Sequence, residues 1–279
     1  MIETLLLPFE FVFMQNAFLI GLIVAVPTGL LSCFLVVRGW SLMGDAISHA
    51  VLPGVVLAYI FSIPLMVGAF AAGIFCAMAT GYLAENCRVK QDTVMGVVFS
   101  GMFAAGLVLF TSIETEVHLD HMLFGNMLGV SIKDIIISVL IAICVSGFLV
   151  IKWSDLVLQS FDPLQARVSG LNVSVLIFLL LASISLTVVA TLKATGLILA
   201  IALLIAPGSI AFLITNQFRL MMPVAVAVTM MAMLSGIYLS FWIDSAPAPT
   251  VIMLLTLIFM FVLIQKLRSA RNVISADIV

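Results

Sequence analysis

Charge is what this sequence has least of. Only 9% of its 279 residues are Asp, Glu, Lys or Arg, where a soluble domain carries about 25%. So little charge cannot cover a water-facing surface, which excludes a soluble globular protein. The net charge is −2 and no basic patch exists, so nothing here serves nucleic acid. The four cysteines, Cys33, Cys76, Cys87 and Cys144, have no paired spacing. They lie in or beside apolar runs and read as packing residues. No GxxxxGK[ST] loop occurs, so this chain does not bind and hydrolyse ATP by that route. If ATP drives its work, another subunit supplies it. The only HxxH-like stretch, HLDH at 118–121, lacks the two His at i and i+4 with a Glu that a zinc protease needs. No hydrolase reading follows.

What is present is apolar sequence. Hydrophobic residues make up 64% of the chain, and mean hydropathy is +1.36. A spanning helix needs about 20 mostly apolar residues. Nine runs qualify, roughly 13–37, 46–61, 64–84, 93–112, 132–151, 173–192, 195–215, 220–243 and 249–265. The expected fold is all-α, a polytopic integral membrane protein with eight to nine transmembrane helices. Spans two and three are joined by Phe61-Ser62-Ile63-Pro64 and form a hairpin. Span two is short, and Pro53-Gly54 predicts a bend. The N-terminal MIETLLLPFEFVFMQN carries Glu3 and Glu10 and no basic region. It is a poor cleavable signal and reads as a short interfacial segment over residues 1–12.

The basic residues orient the chain. Arg38, Arg88, Lys90, Lys152, Arg167, Arg219, Lys266, Arg268 and Arg271 all follow odd-numbered spans, and only Lys133 and Lys193 follow even-numbered ones. By the positive-inside rule the N-terminus is expected outside and the C-terminus, with a tail over 266–279, in the cytoplasm.

The first candidate site is Asp45 and His49, in RGWSLMGDAISHAVLPG (38–54). Four residues apart, they share one helix face. Ionisable groups at the mouth of a span are costly to keep and mark function. A carboxylate with an imidazole suits Mn, Fe or Zn and does not suit Mg or Ca, which take oxygen alone. A proton relay and a plain Asp–His hydrogen bond at a helix start remain alternatives. Ser41 and Ser48 could add hydroxyls, though serines inside helices usually bond to the backbone. Arg38 ends span one on the cytoplasmic side, so on a straight helix the pair would sit near the inner face. A deeper site would need Gly39–Gly44 to re-enter the membrane unwound.

The outer loop IETEVHLDHMLFG (113–125) gathers Glu114, Glu116, His118, Asp120 and His121. It is either a solvated polar loop or a capture surface that raises the local concentration of a cation. The inner loop KWSDLVLQSFDPLQARVSG (152–170) is amphipathic. Asp162-Pro163 reads as an N-cap with a first-turn proline, and the short helix ends at Gly170. It either lies on the membrane or docks a soluble partner. In TGLILAIALLIAPGSIAFLIT (195–215), Pro207-Gly208 marks a helix break or bend. Small-residue stretches such as GAFAAGIFCAMATG (68–81) read as helix-packing surfaces.

Several of these blocks, in this order, resemble one family. LLSCFLVVRGWSLMGDAISHAVLPGVVLAY (30–59), DTVMGVVFSGMFAAGLVLF (92–110), HMLFGNMLGVS (121–131), FDPLQARVSGL (161–171) and the 195–215 run are similar to the ABC-3 family, the permease subunits of ATP-binding-cassette importers for manganese, iron and zinc. Within it the Yfe/Sit-type chelated iron and manganese systems are the nearest likeness. The resemblance covers nearly the whole chain. It implies a type II importer permease of the bacterial inner membrane, a single transmembrane domain over 1–279, with two permease subunits paired as a homo- or heterodimer. It implies two cytoplasmic ATPase subunits below, a periplasmic metal-binding protein above, and no permanently bound cofactor. By the same resemblance Asp45 and His49 contact the transported ion. Phe161, Asp162, Pro163, Ala166, Arg167 and Gly170 belong to a coupling loop over 152–172 that docks the ATPase. It assigns no role to His118 or His121. The rival expectations are a stand-alone proton-coupled metal carrier and a non-transporting scaffold or sensor.

Overall fold

Backbone N–H and C=O groups in lipid have no water to bond, so an apolar run must satisfy them within itself and becomes a helix. The computed structural model describes residues 7–40, 42–112 and 127–276, and its regular elements are helical throughout. They are α1 Val12–Arg38, α2 Met43–Ile60, α3 Leu65–Asn86, α4 Gln91–Thr111, α5 Ile132–Ile151, α6 Trp153–Phe161, α7 Pro163–Val168, α8 Val173–Thr195, α9 Leu197–Ile214, α10 Phe218–Ile243 and α11 Pro247–Ala276. Nine of these, all but α6 and α7, are long and apolar enough to cross a membrane. Among the described residues these nine candidate spans agree with the eight to nine expected.

α1 is the inner post of the molecule. Its first-half residues Met14 to Ala25 enter one core with α9, α10 and α11. Its second half, Leu30 to Leu35, enters another with α2, α5 and α8. α2 is equally enclosed, packed chiefly on α3 and α4. Upstream of α1, Phe9 stacks on Phe18 at 4.9 Å between ring centres, so residues 7–11 fold back along the bundle.

The turn from α1 to α2 is tight. Gly39 takes φ +70°, and the N–H groups of Gly39 and Trp40 bond back to Val36 and Leu35 oxygens. That closure satisfies carbonyls at the end of α1 and stops it. Arg38 covers the Trp40 ring at 4.3 Å. α1 ends at Arg38 and α2 begins at Met43. Gly44 is helical and not unwound; a side chain there would press on Leu204 of α9 at 2.9 Å.

Both proline-glycine pairs lie inside continuous helices. α2 runs unbroken through Pro53-Gly54. α9 runs unbroken through Pro207-Gly208, which corrects the helix break. Proline removes one backbone donor, and neighbouring helices make that tolerable in lipid. Here Gly208 lets α9 lie directly on the backbone of Ser32 and Cys33 in α1.

Candidate functional site

Asp45 lies in the first turn of α2, where the free N–H groups and the helix dipole favour a negative charge. One turn on, Nε2 of His49 stands 3.3 Å from Oδ1 of Asp45. With metal–ligand bonds of about 2.1 Å, two donors on one ion lie about 3.0 Å apart at a right angle and about 3.4 Å apart at the tetrahedral angle. The pair therefore has the spacing of two ligands of one ion. The side chains are 27% and 29% exposed, so a ligand can reach them from the open side. Ser48 is buried, and its hydroxyl donates to Gly44 O at 2.7 Å within α2. Among the described residues no group of three or more His, Cys, Asp or Glu side chains is gathered to hold a metal. At this place the described residues thus offer two ligands, short of the four that a closed transition-metal site uses.

The other nitrogen of the imidazole, Nδ1, is buried without a hydrogen-bond partner. The ring is enclosed by α4: Phe99 lies at 5.9 Å, tilted 23°, and Phe103 meets it at 5.2 Å and 77°. Phe99 and Phe103 are the ninth and thirteenth residues of the 21-residue α4. At 1.5 Å rise per residue His49 is then level with the middle of α4, about 15 Å from either end. The pair is thus placed relative to α4, beside its middle turns and not its ends. The two phenylalanines were not singled out from sequence. Their signal was an i, i+4 aromatic pair three residues before Gly106, in a run that is apolar on every side.

The second candidate stands apart from the first. α6 and α7 are too short to cross a membrane and follow one another at Asp162. The Asp162 carboxylate accepts from the Gln165 N–H at 2.9 Å, and Pro163 occupies the first turn. Leu171 N–H reaches back to Ala166 O at 3.1 Å, and Gly170 has φ +81°. Ala166 is fully buried, while Phe161, Leu164 and Val168 are 67%, 72% and 89% exposed. A capped helix thus presents apolar side chains with nothing packed on them. Glu114, Glu116, His118, Asp120 and His121 lie outside the described residues.

Comparison with known proteins agrees over the whole length. The sequence is 53% identical over 259 residues to the chelated iron transport system membrane protein YfeD of Yersinia pestis, covering 93% of this chain and 87% of that one. It is 40% identical over 257 residues to the manganese transport system membrane protein MntB of Synechocystis sp., covering 92% and 84%. Its structure superposes on PsaBC from Streptococcus pneumoniae, solved in complex with Fab, with a TM-score of 0.84 at 31% identity, covering 94% and 95%. The sequence model of the ABC 3 transport family matches residues 10–266, and the chain belongs to that family.

Proposed function

We propose that this chain is the membrane-spanning permease subunit of an ATP-driven importer that carries Mn2+ or Fe2+ from periplasm to cytoplasm across a bacterial inner membrane. The observation that carries the reading is the Asp45–His49 pair, two donors at one-ion spacing level with the middle of a span. The iron and manganese systems named among its relatives support the choice of ion. The same oxygen and nitrogen donors also accept Zn2+.

The ion is cargo, so it must leave as readily as it enters. Two protein ligands hold it weakly. A second permease subunit, another copy or a related chain, presents its own pair across the pathway and completes the shell at the moment of transit. A periplasmic metal-binding protein delivers the ion at the outer face, where the carboxylates and imidazoles of residues 114–121 concentrate cations. Two cytoplasmic ATPase subunits hydrolyse ATP, and this chain does none of that chemistry. Each ATPase receives α7, with Leu164, Arg167 and Val168 on it and Phe161 and Asp162 before it, so that its motion rocks the permease pair. The N-terminus is periplasmic and the C-terminus cytoplasmic.

The test is metal uptake by the assembled transporter in vesicles. Asp45→Ala and His49→Ala should each lower Mn2+ uptake more than tenfold with the complex intact. Wild-type uptake by both variants sinks the assignment. Dependence on the ATPase, with no collapse on adding an uncoupler, separates this reading from a proton-coupled carrier. Flux of any kind separates it from a scaffold.

A further inference from the structure

A metal-binding imidazole is ordinarily oriented by a hydrogen bond from its second nitrogen to a carboxylate, carbonyl or water. His49 lacks that arrangement. Its Nδ1 is covered by the chain's own atoms, and among the described residues none bonds it. What surrounds the ring instead is a corner of two aromatic side chains. Phe99 lies nearly parallel to one face at 5.9 Å and 23°, and Phe103 stands against it edge-on at 5.2 Å and 77°. Rotation about the last side-chain torsion would drive the imidazole into one or the other.

The corner is held by backbone. Three residues beyond Phe103, Gly106 passes so close to α2 that a Cβ there would meet Pro53 N at 2.8 Å and Pro53 Cδ at 2.9 Å. Pro53 is one turn beyond His49. His49 and Pro53 on α2 thus lie in fixed register against the stripe Phe99–Phe103–Gly106 on α4.

We propose that Phe99 and Phe103 are positioning residues for metal transit, holding the His49 imidazole so that Nε2 and Asp45 Oδ1 face one ion. The inference rests on the reading of Asp45 and His49 as the transit pair. It also accounts for the choice of aromatic rings over a polar partner. A carboxylate on Nδ1 raises the basicity of a ligating imidazole and tightens the metal. Rings fix the direction of the ligand without that gain, which suits a site that must release its ion.

The experiment compares Leu and Tyr at each position in the assembled transporter. Leu keeps an apolar side chain and loses the ring; Tyr keeps the ring. Phe99→Leu and Phe103→Leu should each raise KM for Mn2+ about tenfold, the low end of what removing an outer partner of a metal ligand costs. The rise in KM should exceed any fall in maximal rate, and Phe99→Tyr and Phe103→Tyr should restore KM to within about threefold. A wild-type KM in the Leu variants overturns the proposal, as does a rise with Tyr equal to that with Leu. Where a Leu variant does not assemble, Met replaces it under the same two outcomes. The parent reading fails separately: if Asp45→Ala and His49→Ala transport normally, the transit pair is lost. If they do not and the Phe variants do, only the positioning role is lost.

Discussion

Gly54 of α2 and Gly68 of α3 meet backbone to backbone, each so close that a Cβ on one would fall against the carbonyl oxygen of the other. Small residues allow such crossings in lipid, where helices gain from contact and not from escaping water. On its other side the same segment of α2, at Pro53, is met by Gly106 of α4. α2 is therefore gripped from two directions about one turn beyond His49. The rigidity of the candidate site begins at these glycines.

Gly54→Ala should destabilise the protein by about 1–3 kcal/mol, the usual cost of forcing extra atoms into a packed interior. The neighbouring atoms are backbone and cannot swing aside. Gly147 of α5 is the control, since a Cβ there meets nothing within 4 Å. Gly147→Ala should be neutral or stabilising by up to about 1 kcal/mol, because alanine is the better helix former. Thermal unfolding of the detergent-solubilised proteins checks both; equal melting temperatures for the two variants would refute the crossing.

The donor set predicts which ions compete. Mn2+ uptake should be inhibited by equimolar Zn2+ and should resist a hundredfold excess of Ca2+ or Mg2+, which favour all-oxygen shells. Competition assays on the assembled transporter decide it, and strong inhibition by Ca2+ would contradict a ligand set that includes His49.

Ser48 lies beside the pair in sequence and outside it in chemistry. Its hydroxyl is spent on Gly44 O within α2. Ser48→Ala should leave the KM for Mn2+ within about twofold, since this back-bond contributes little to a helix. A large loss of uptake with normal assembly would bring the hydroxyl into the pathway.

Asp162 caps α7, and its loss should cost about 1 kcal/mol of local helix stability. Asp162→Ala should reduce co-purification of the ATPase, and Asp162→Asn, which keeps the capping oxygen, should preserve it. Reversing the charges at Asp162 and Arg167 together should weaken it further. Undiminished co-purification in the Ala and double variants places the contact elsewhere.

The inner loop was legible because its signals are local. An Asp–Pro start and a Gly end act within one turn, and the structure carries both at Asp162 and Gly170. The proline in α9 left a break and a bend open for the opposite reason, and the structure carries no break there. Whether a helix breaks at Pro207 depends on what lies against it, and α1 lies there, at Ser32.

From composition and spacing alone come the spans and the Asp45–His49 pair. Length in lipid dictates a helix, and a separation of four residues puts two side chains on one face. Family membership was legible in the order of its blocks. The tertiary structure decided the level of the pair against α4, the packing of two rings some fifty residues away on His49, and the glycine crossings that hold α2 in place. These depend on the register between helices. In a soluble protein an amphipathic stripe announces which face turns inward. Here lipid and protein interior are both apolar, so that stripe is missing and only the packed structure reveals which faces meet.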